Sequence, residues 1–257
     1  MEQLAELLFL LASIDRLMLL LEIRREKRRL THLATNLSAT PQETSKHLKR
    51  LRDAKLIEKD SDGFFNLTVL GNIILNMLPP LKFVFQNRNY FLSHDISSLP
   101  LEFIERLGEL QQFEYDEKVG FVLAYTQRVV HDAEEYIWLM ADHPLGGEEY
   151  VGGKKLEISS HVTWKVIVPV GSNVDWTRLR SSVGDHKDRI EYALIEDPND
   201  IHAGIALNEK IAGLTFPDMT GRLDFNSGFR SGDHLFHKWC HDLFVFHWNK
   251  ARKKLRV

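Results

Sequence analysis

Cysteine is almost missing from this chain: Cys240 is the one thiol in 257 residues. A lone cysteine excludes an internal disulfide and a cysteine-built structural zinc site, and it suits a reducing cytoplasm. An uninterrupted apolar run is missing at the N-terminus as well. The apolar N-terminus is interrupted by Glu2, Glu6, Asp15 and Arg16. It has no basic leader and no small-residue cleavage site, so neither a signal peptide nor a membrane span is expected there. Gly146-Gly147 and Gly152-Gly153 lack the spacing and the Lys-Ser/Thr of a phosphate loop, and no serine-centred nucleophile elbow occurs. There is no internal repeat and no low-complexity tract. These gaps remove disulfide scaffolds, P-loop nucleotide enzymes and serine hydrolases from the field.

Net charge is scarce too, at -3, but it is unevenly spread. Residues 1–90 hold 14 Lys+Arg against 10 Asp+Glu, and the remainder 19 against 26; residues 24–55 alone hold 10 basic and 3 acidic side chains. A basic segment on an acidic molecule suits local attachment to a polyanion.

Within that segment, Ala39–Ala54 reads ATPQETSKHLKRLRDA. Thr40 as N-cap, Pro41 at the first helical position and Glu43 three residues after the cap form a capping-box helix start. Thr44, Leu48 and Leu51 give the helix an apolar back, and Gln42, Glu43, Lys46, Lys49 and Arg50 a polar, mostly basic front. An ordinary solvated amphipathic helix has the same pattern, so the flanks decide. Leu30, Leu33, Ala34 and Leu37 predict a helix before it, joined by a short turn at Asn36–Ala39. Leu56–Lys59 and Phe64–Leu67 around Asp60-Ser61-Asp62-Gly63 predict a hairpin after it. The combination predicts a helix-turn-helix followed by a wing. Residues 2–12 and 14–24 are expected to be helices, the first apolar enough to be core or shared with a second subunit. Arg24–Arg29 reads as a solvated turn or a phosphate contact.

Ser13–Leu21, Leu30–Leu37, Ser45–Leu48, Leu56–Lys59 and Leu67–Gly71 resemble the winged-helix domain of ArsR-like regulators. His94–Pro100, Glu105–Leu110, Trp239–Phe244 and Trp248 resemble the archaeal methanogenesis regulatory protein family, which joins such a head to a C-terminal sensor-like domain. The likeness covers nearly the whole chain; its head pattern is widely shared, its middle and tail patterns less so. It implies an α+β N-terminal winged helix-turn-helix domain followed by an α/β C-terminal domain similar to degenerate phospholipase-D-like sensor domains. It also implies that the helical connector over 68–91 pairs two subunits, through Leu70, Ile73, Ile74, Met77 and Leu78, with plain core packing the alternative. Pro79-Pro80 should break or kink that connector.

Beyond residue 121 the pattern predicts a helix over Gln127–Met140, strands at Val162–Val170, Ile190–Ile195, His202–Leu207 and Lys210–Phe216, and a helix over Asp233–Lys254. A phospholipase-D-type site needs His-x-Lys-x4-Asp. The nearest match, His47-Leu48-Lys49 with Asp53, is one residue short and lies in the helix just described, so no catalytic residues are expected. His234, His237 and His241 share one helix face and would suit a metal ligand set, though exposed histidines on an aromatic helix are the preferred explanation. His94, His131, His143, His161, His186 and His202 are dispersed. Phe121, Trp138, Trp164, Trp176 and Trp239 suit either a ligand pocket or a core.

The reading is a transcription regulator, not an enzyme. Residues 1–92 form the DNA-binding head with dimerising helices, 93–120 a hinge, and 121–257 a sensor or effector domain. Its partners are double-stranded DNA, a second copy and an unidentified small-molecule effector, with no cofactor, metal or membrane; repression and activation stay open. Gln42, Glu43 and Lys46 are expected at base edges, because Gln reads adenine, Glu accepts from cytosine and Lys reaches guanine. Thr40, Ser45, His47, Lys49 and Arg50 are expected at phosphates, with Lys59 the cation of an otherwise acidic wing. A protein–protein module built on the same winged helix, and a metal-responsive regulator using the 234–241 histidines, are the competing readings.

Overall fold

A computed structural model describes residues 1–118, 120–142, 161–170, 189–197, 200–251 and 253–256. His143, Trp176, His186 and both glycine pairs lie outside the described residues. The chain divides into two compact units, Met1–Pro79 and Pro80–Val257.

The first unit runs α1 (Glu2–Leu11), α2 (Ile14–Arg25), β1 (Arg28–Arg29), α3 (Leu30–Asn36), α4 (Pro41–Asp53), β2 (Ile57–Lys59), β3 (Phe64–Leu67) and the start of α5 (Val69–Gln86). Its core draws Leu19, Leu20 and Ile23 from α2, Leu33 from α3, Leu48 and Leu51 from α4, and Phe65 from β3. Burying that many leucines is what holds short helices that would not persist alone. α3 and α4 end alike. Ser38 and Lys55 take positive φ, 52° and 61°. The next residues, Ala39 and Leu56, donate back to the carbonyls of Ala34 and Leu51. This is the Schellman closure, here without the usual glycine.

β2 and β3 pair antiparallel, Ile57 opposite Leu67 and Lys59 opposite Phe65. Gly63, at φ 87°, closes the turn, and the Asp60 carboxylate accepts from the N–H groups of Asp62 and Phe64. The Arg24–Arg29 run is not a plain turn: Arg28 and Arg29 form a third strand opposite Phe65 and Phe64, giving the order β1-β3-β2. Thr68 then caps α5, its hydroxyl accepting from the N–H of Gly71 while donating to the carbonyl of Lys55. α5 continues through Pro79-Pro80, against the expected break. The two prolines cost the Leu75 and Asn76 carbonyls their helical donors, and the division between the units falls there.

The second unit carries α6 (Arg88–Phe91), α7 (Leu101–Glu105), a 3-10 turn at Leu107–Gln111, β4 (Glu114–Glu117), α8 (Phe121–Asp132), β5 (Tyr136–Met140), β6 (Thr163–Pro169), β7 (Ile190–Ile195), β8 (Gly204–Leu207), β9 (Ala212–Thr215), β10 (Ser227–Ser231), α9 (His234–Lys250) and β11 (Lys253–Arg256). Among the described residues eight strands lie in the order β11-β7-β6-β5-β8-β9-β10-β4. Of these, β5, β6 and β7 are parallel neighbours and the other pairs are antiparallel. The layer is therefore a mixed sheet, with the parallel centre expected of an α/β arrangement and antiparallel strands on both sides of it. Ile137, Leu139, Val166, Val168 and Tyr192 pack with α8 residues Tyr125 and Val129. Met140, Ile167, Ala193 and Ile195 pack with α9 residues Phe236, Trp239 and Phe244. That alternation buries the sheet on both faces, α8 on one and α9 on the other.

Two expectations are corrected here. The helix expected over Gln127–Met140 stops at Asp132, and Tyr136–Met140 is a central strand. The Glu209 carboxylate accepts from the N–H groups of Glu134, Glu135 and Tyr136 and so ends the helix from a distance. The expected hinge, 93–120, lies within the second unit, and most of its larger apolar side chains are core. Leu99, Phe103, Leu107 and Leu110 are buried with α9, the Trp239 indole donates to the Phe103 carbonyl at 3.1 Å, and Arg106 bridges Glu109 and Asp242.

Candidate nucleic-acid interface

α4 starts as its sequence dictates. Thr40 Oγ1 accepts from the Glu43 N–H at 3.2 Å, and Glu43 Oε2 accepts from the Thr40 N–H at 3.1 Å and its hydroxyl at 2.8 Å. The bonds from the Thr40 hydroxyl and N–H hold the Glu43 carboxyl below the usual carboxylate range. Glu43 is therefore occupied as a cap, and the same holds for the Thr40 hydroxyl.

With the start fixed, the helix divides cleanly. Thr44, Leu48 and Leu51 are buried, while Gln42, Ser45, Lys46, Lys49 and Arg50 are exposed. Positions 42, 46, 49 and 50 stand on one face by helical spacing. His47 is half-buried, its Nε2 3.5 Å from Asp15 Oδ2, which places it on the flank. Behind this face Arg16 is buried. Its guanidinium donates to the carbonyls of Leu10 and Phe9, closing the end of α1. Burial pushes its pKa down, the charge of Arg50 adds to that, and Asp15 opposes both.

The hairpin beside α4 is less acidic than its tip suggests. Lys59 is exposed and lies 5.7 Å from the Phe65 ring centre. Lys27 and Arg29 lie over the Phe64 ring at 5.0 and 4.5 Å. β1 and the residue before it thus bring two cations to β3 that sequence reading did not assign to the hairpin. No local signal marks them, because a two-residue strand shows no periodicity. Arg24 bonds Asn76 at 2.7 Å, while Arg25 and Arg28 pair with Glu22 and Glu26.

Apolar side chains are also exposed. On α5, Ile74 and Leu78 pack into the core, but Val69, Leu70, Ile73, Met77, Leu81 and Phe85 face outward, Val69 at 79% and Phe85 at 71% exposure. On α1 and α2, Leu4, Leu8, Phe9, Ile14, Met18 and Leu21 do the same. Among the described residues α5 alone is long and apolar enough to cross a membrane, with mean hydropathy 1.2.

In the second unit, an open cleft of 440 Å³ is lined by Glu114, Tyr125, Arg128, Arg230 and Asp233 among others. Its size is that of a small-molecule site. The buried Tyr125 hydroxyl has no hydrogen-bond partner among the described residues. Arg230 is paired with Glu114 and Arg128 with Asp132. Phe121 and Trp239 are buried in the core, and Trp138 stacks between His241 and Phe244. The three histidines of α9 do not converge. His237 Nε2 donates to the Asn208 carbonyl at 2.6 Å, His241 stacks on Trp138, and His234 is exposed. Among the described residues no group of three or more His, Cys, Asp or Glu side chains is gathered closely enough to hold a metal.

No family model and no curated protein matches the chain. Among solved structures it is similar to TrmBL2, an archaeal chromatin protein with a novel mode of DNA binding, at 12% identity and a TM-score of 0.41 over 90% of this chain and 88% of that one. It is similar also to Nuc, a phospholipase D family member from Salmonella typhimurium, at 12% identity and a TM-score of 0.38 over 57% of this chain and 97% of that one. RosA, a dimethyltransferase from Streptomyces davawensis, follows at 13% identity and a TM-score of 0.25, over 73% of this chain and 62% of that one. Likenesses of this strength decide neither fold nor function, and the case rests on the face of α4.

Proposed function

We propose that this chain is a DNA-binding transcription regulator whose first unit is a winged helix and whose second unit senses a small molecule. The observation that supports it is the division of α4: a fully buried back, and a front that exposes Gln42, Lys46, Lys49 and Arg50. In this reading α4 enters the major groove, Gln42 and Lys46 meet base edges, and Thr40, Ser45, Lys49 and Arg50 meet the backbone. His47 sits at the rim. Lys59, with Lys27 and Arg29, gives the wing its phosphate contact, and Glu43 keeps the helix start instead of reading cytosine.

The exposed apolar side chains of α5 and α1 are assigned to a second copy. A homodimer would read a palindromic operator through two half-sites. The 440 Å³ cleft is assigned to the effector, which must bind two arrangements of the dimer unequally to act at all. Membership of the archaeal methanogenesis regulatory protein family, a cytoplasmic setting and the lack of catalysis belong to the same proposal.

The test is selection of bound sequences from a random DNA pool, followed by anisotropy titrations at two salt concentrations. Lys46→Ala and Arg50→Ala should each weaken binding and lower the salt slope by about one. Unchanged affinity in both variants removes α4 as the reader. A protein that forms no salt-graded DNA complex returns the chain to the protein–protein alternative.

A further inference from the structure

Two histidines outside the interface carry an unexplained cost. His247, on α9, is buried at 2% exposure, and among the described residues its Nε2 has no hydrogen-bond partner. His202, just before β8, is half-buried, and its Nδ1 is buried without a partner among the described residues as well. Leaving a polar atom so placed costs about 1–3 kcal/mol each, so two side by side call for an occupant. Both line the same cavity of 140 Å³, with Leu194, Glu196, Asp200 and Lys250.

We propose that His202 and His247 are the protein ligands of a divalent first-row transition ion held in this cavity. The rings stand 5.0 Å apart, centre to centre, at 61°. An ion about 2.0–2.1 Å from one nitrogen of each ring lies about 3.2 Å from each ring centre, and a near-tetrahedral angle then sets the centres roughly 5 Å apart. Neutral imidazole is the form that binds metal.

Asp200 and the ammonium of Lys250 both line the cavity. No third ligand is gathered with the two histidines among the described residues. The remaining positions on the ion go to water, so the site is open, unlike a closed structural zinc. The competing occupant is water alone: 140 Å³ has room for about four molecules. This inference depends on neither DNA binding nor dimerisation.

The test uses the full chain, stripped with chelator and titrated with Co2+ under visible absorption, then with Zn2+ in competition. One ion per chain is expected, with the ligand-field bands of a low-coordinate site. His202→Gln should weaken binding at least about tenfold, since losing a direct ligand costs no less than losing a partner of one. His247→Gln should do the same. The double variant His234→Gln/His241→Gln, on the exposed side of α9, should leave binding unchanged. If His247→Gln fails to fold, His202→Gln, checked by tryptophan fluorescence, carries the test alone. No cobalt binding, binding that survives His202→Gln, or binding lost only in the double variant overturns the proposal.

Discussion

Replacing Gly71 by alanine sets two effects of opposite sign against each other. Gly71 lies in the first turn of α5, where alanine should stabilise a helix by about 1 kcal/mol. The structure puts the new Cβ 2.1 Å from the Leu56 carbonyl oxygen and 3.0 Å from its carbon. An ordinary carbon–oxygen contact is about 3.3 Å or longer, so backbone must move by about 1 Å. The oxygen it meets also accepts from the Thr68 N–H at 3.1 Å, and the Thr68 hydroxyl caps α5. Overpacking of this kind costs about 1–3 kcal/mol, and each weakened hydrogen bond about 0.5–1.5 kcal/mol. The clash wins, by a net of about 0.5–3.5 kcal/mol. For a unit of this size the midpoint should fall by about 2–28 °C. The assay separates the units without cutting the chain. All five tryptophans, Trp138, Trp164, Trp176, Trp239 and Trp248, follow Pro80, so their fluorescence reports the second unit, while far-ultraviolet dichroism reports both. The dichroism transition of Met1–Pro79 should move down and the fluorescence transition should stay. A first transition that holds or rises refutes the reasoning.

Lys55→Gly should raise the stability of the first unit by about 0.5–1 kcal/mol in thermal melts, because it relieves a side chain held in the left-handed region. Glu43→Gln should leave the selected DNA sequence unchanged, since that side chain is spent on the helix start; a changed preference at one base returns it to the readers. Ile73→Glu and Met77→Glu should lower the sedimentation mass to that of one chain, whereas a wild-type monomer at micromolar concentration removes the second copy. Asp224 is pushed up by burial, but bonds from the Ser227 hydroxyl, the Asn226 N–H and His94 outweigh this and hold its pKa below the ordinary value. A depressed carboxylate gives its full stabilisation above the unfolded value of about 3.8 and loses it as pH falls through the folded one. Acid melts followed by tryptophan fluorescence should therefore steepen below about pH 3.8, and Asp224→Asn should flatten that limb.

What was legible in the sequence was local. The start of α4 is written in Thr40, Pro41 and Glu43, three neighbours whose bonds close on one another. The hairpin is written in one turn and two short apolar runs. What failed depended on distant partners. Tyr136–Met140 is apolar enough for helix or strand, and the Glu209 carboxylate, 73 residues from Tyr136, decides it. Arg28 and Arg29 become a strand only because β3 offers an edge. The segment 93–120 did carry a signal that was passed over: Leu99, Phe103, Leu107 and Leu110 repeat at helical spacing, and such a repeat marks core rather than hinge. His202 and His247 share a cavity while lying far apart along the chain, which no spacing rule reveals.

The small sheet of the first unit also limits its own growth. Its outer members are two and three residues long, and they end in Arg29 and Lys59. An incoming chain seeking to extend the ladder would find too few free amides and carbonyls, and a cation at each border. Short, charged borders of this kind discourage stacking into fibres. The ammonium and guanidinium groups proposed for the wing's phosphate contact would thus also keep neighbouring molecules from zipping together at high concentration.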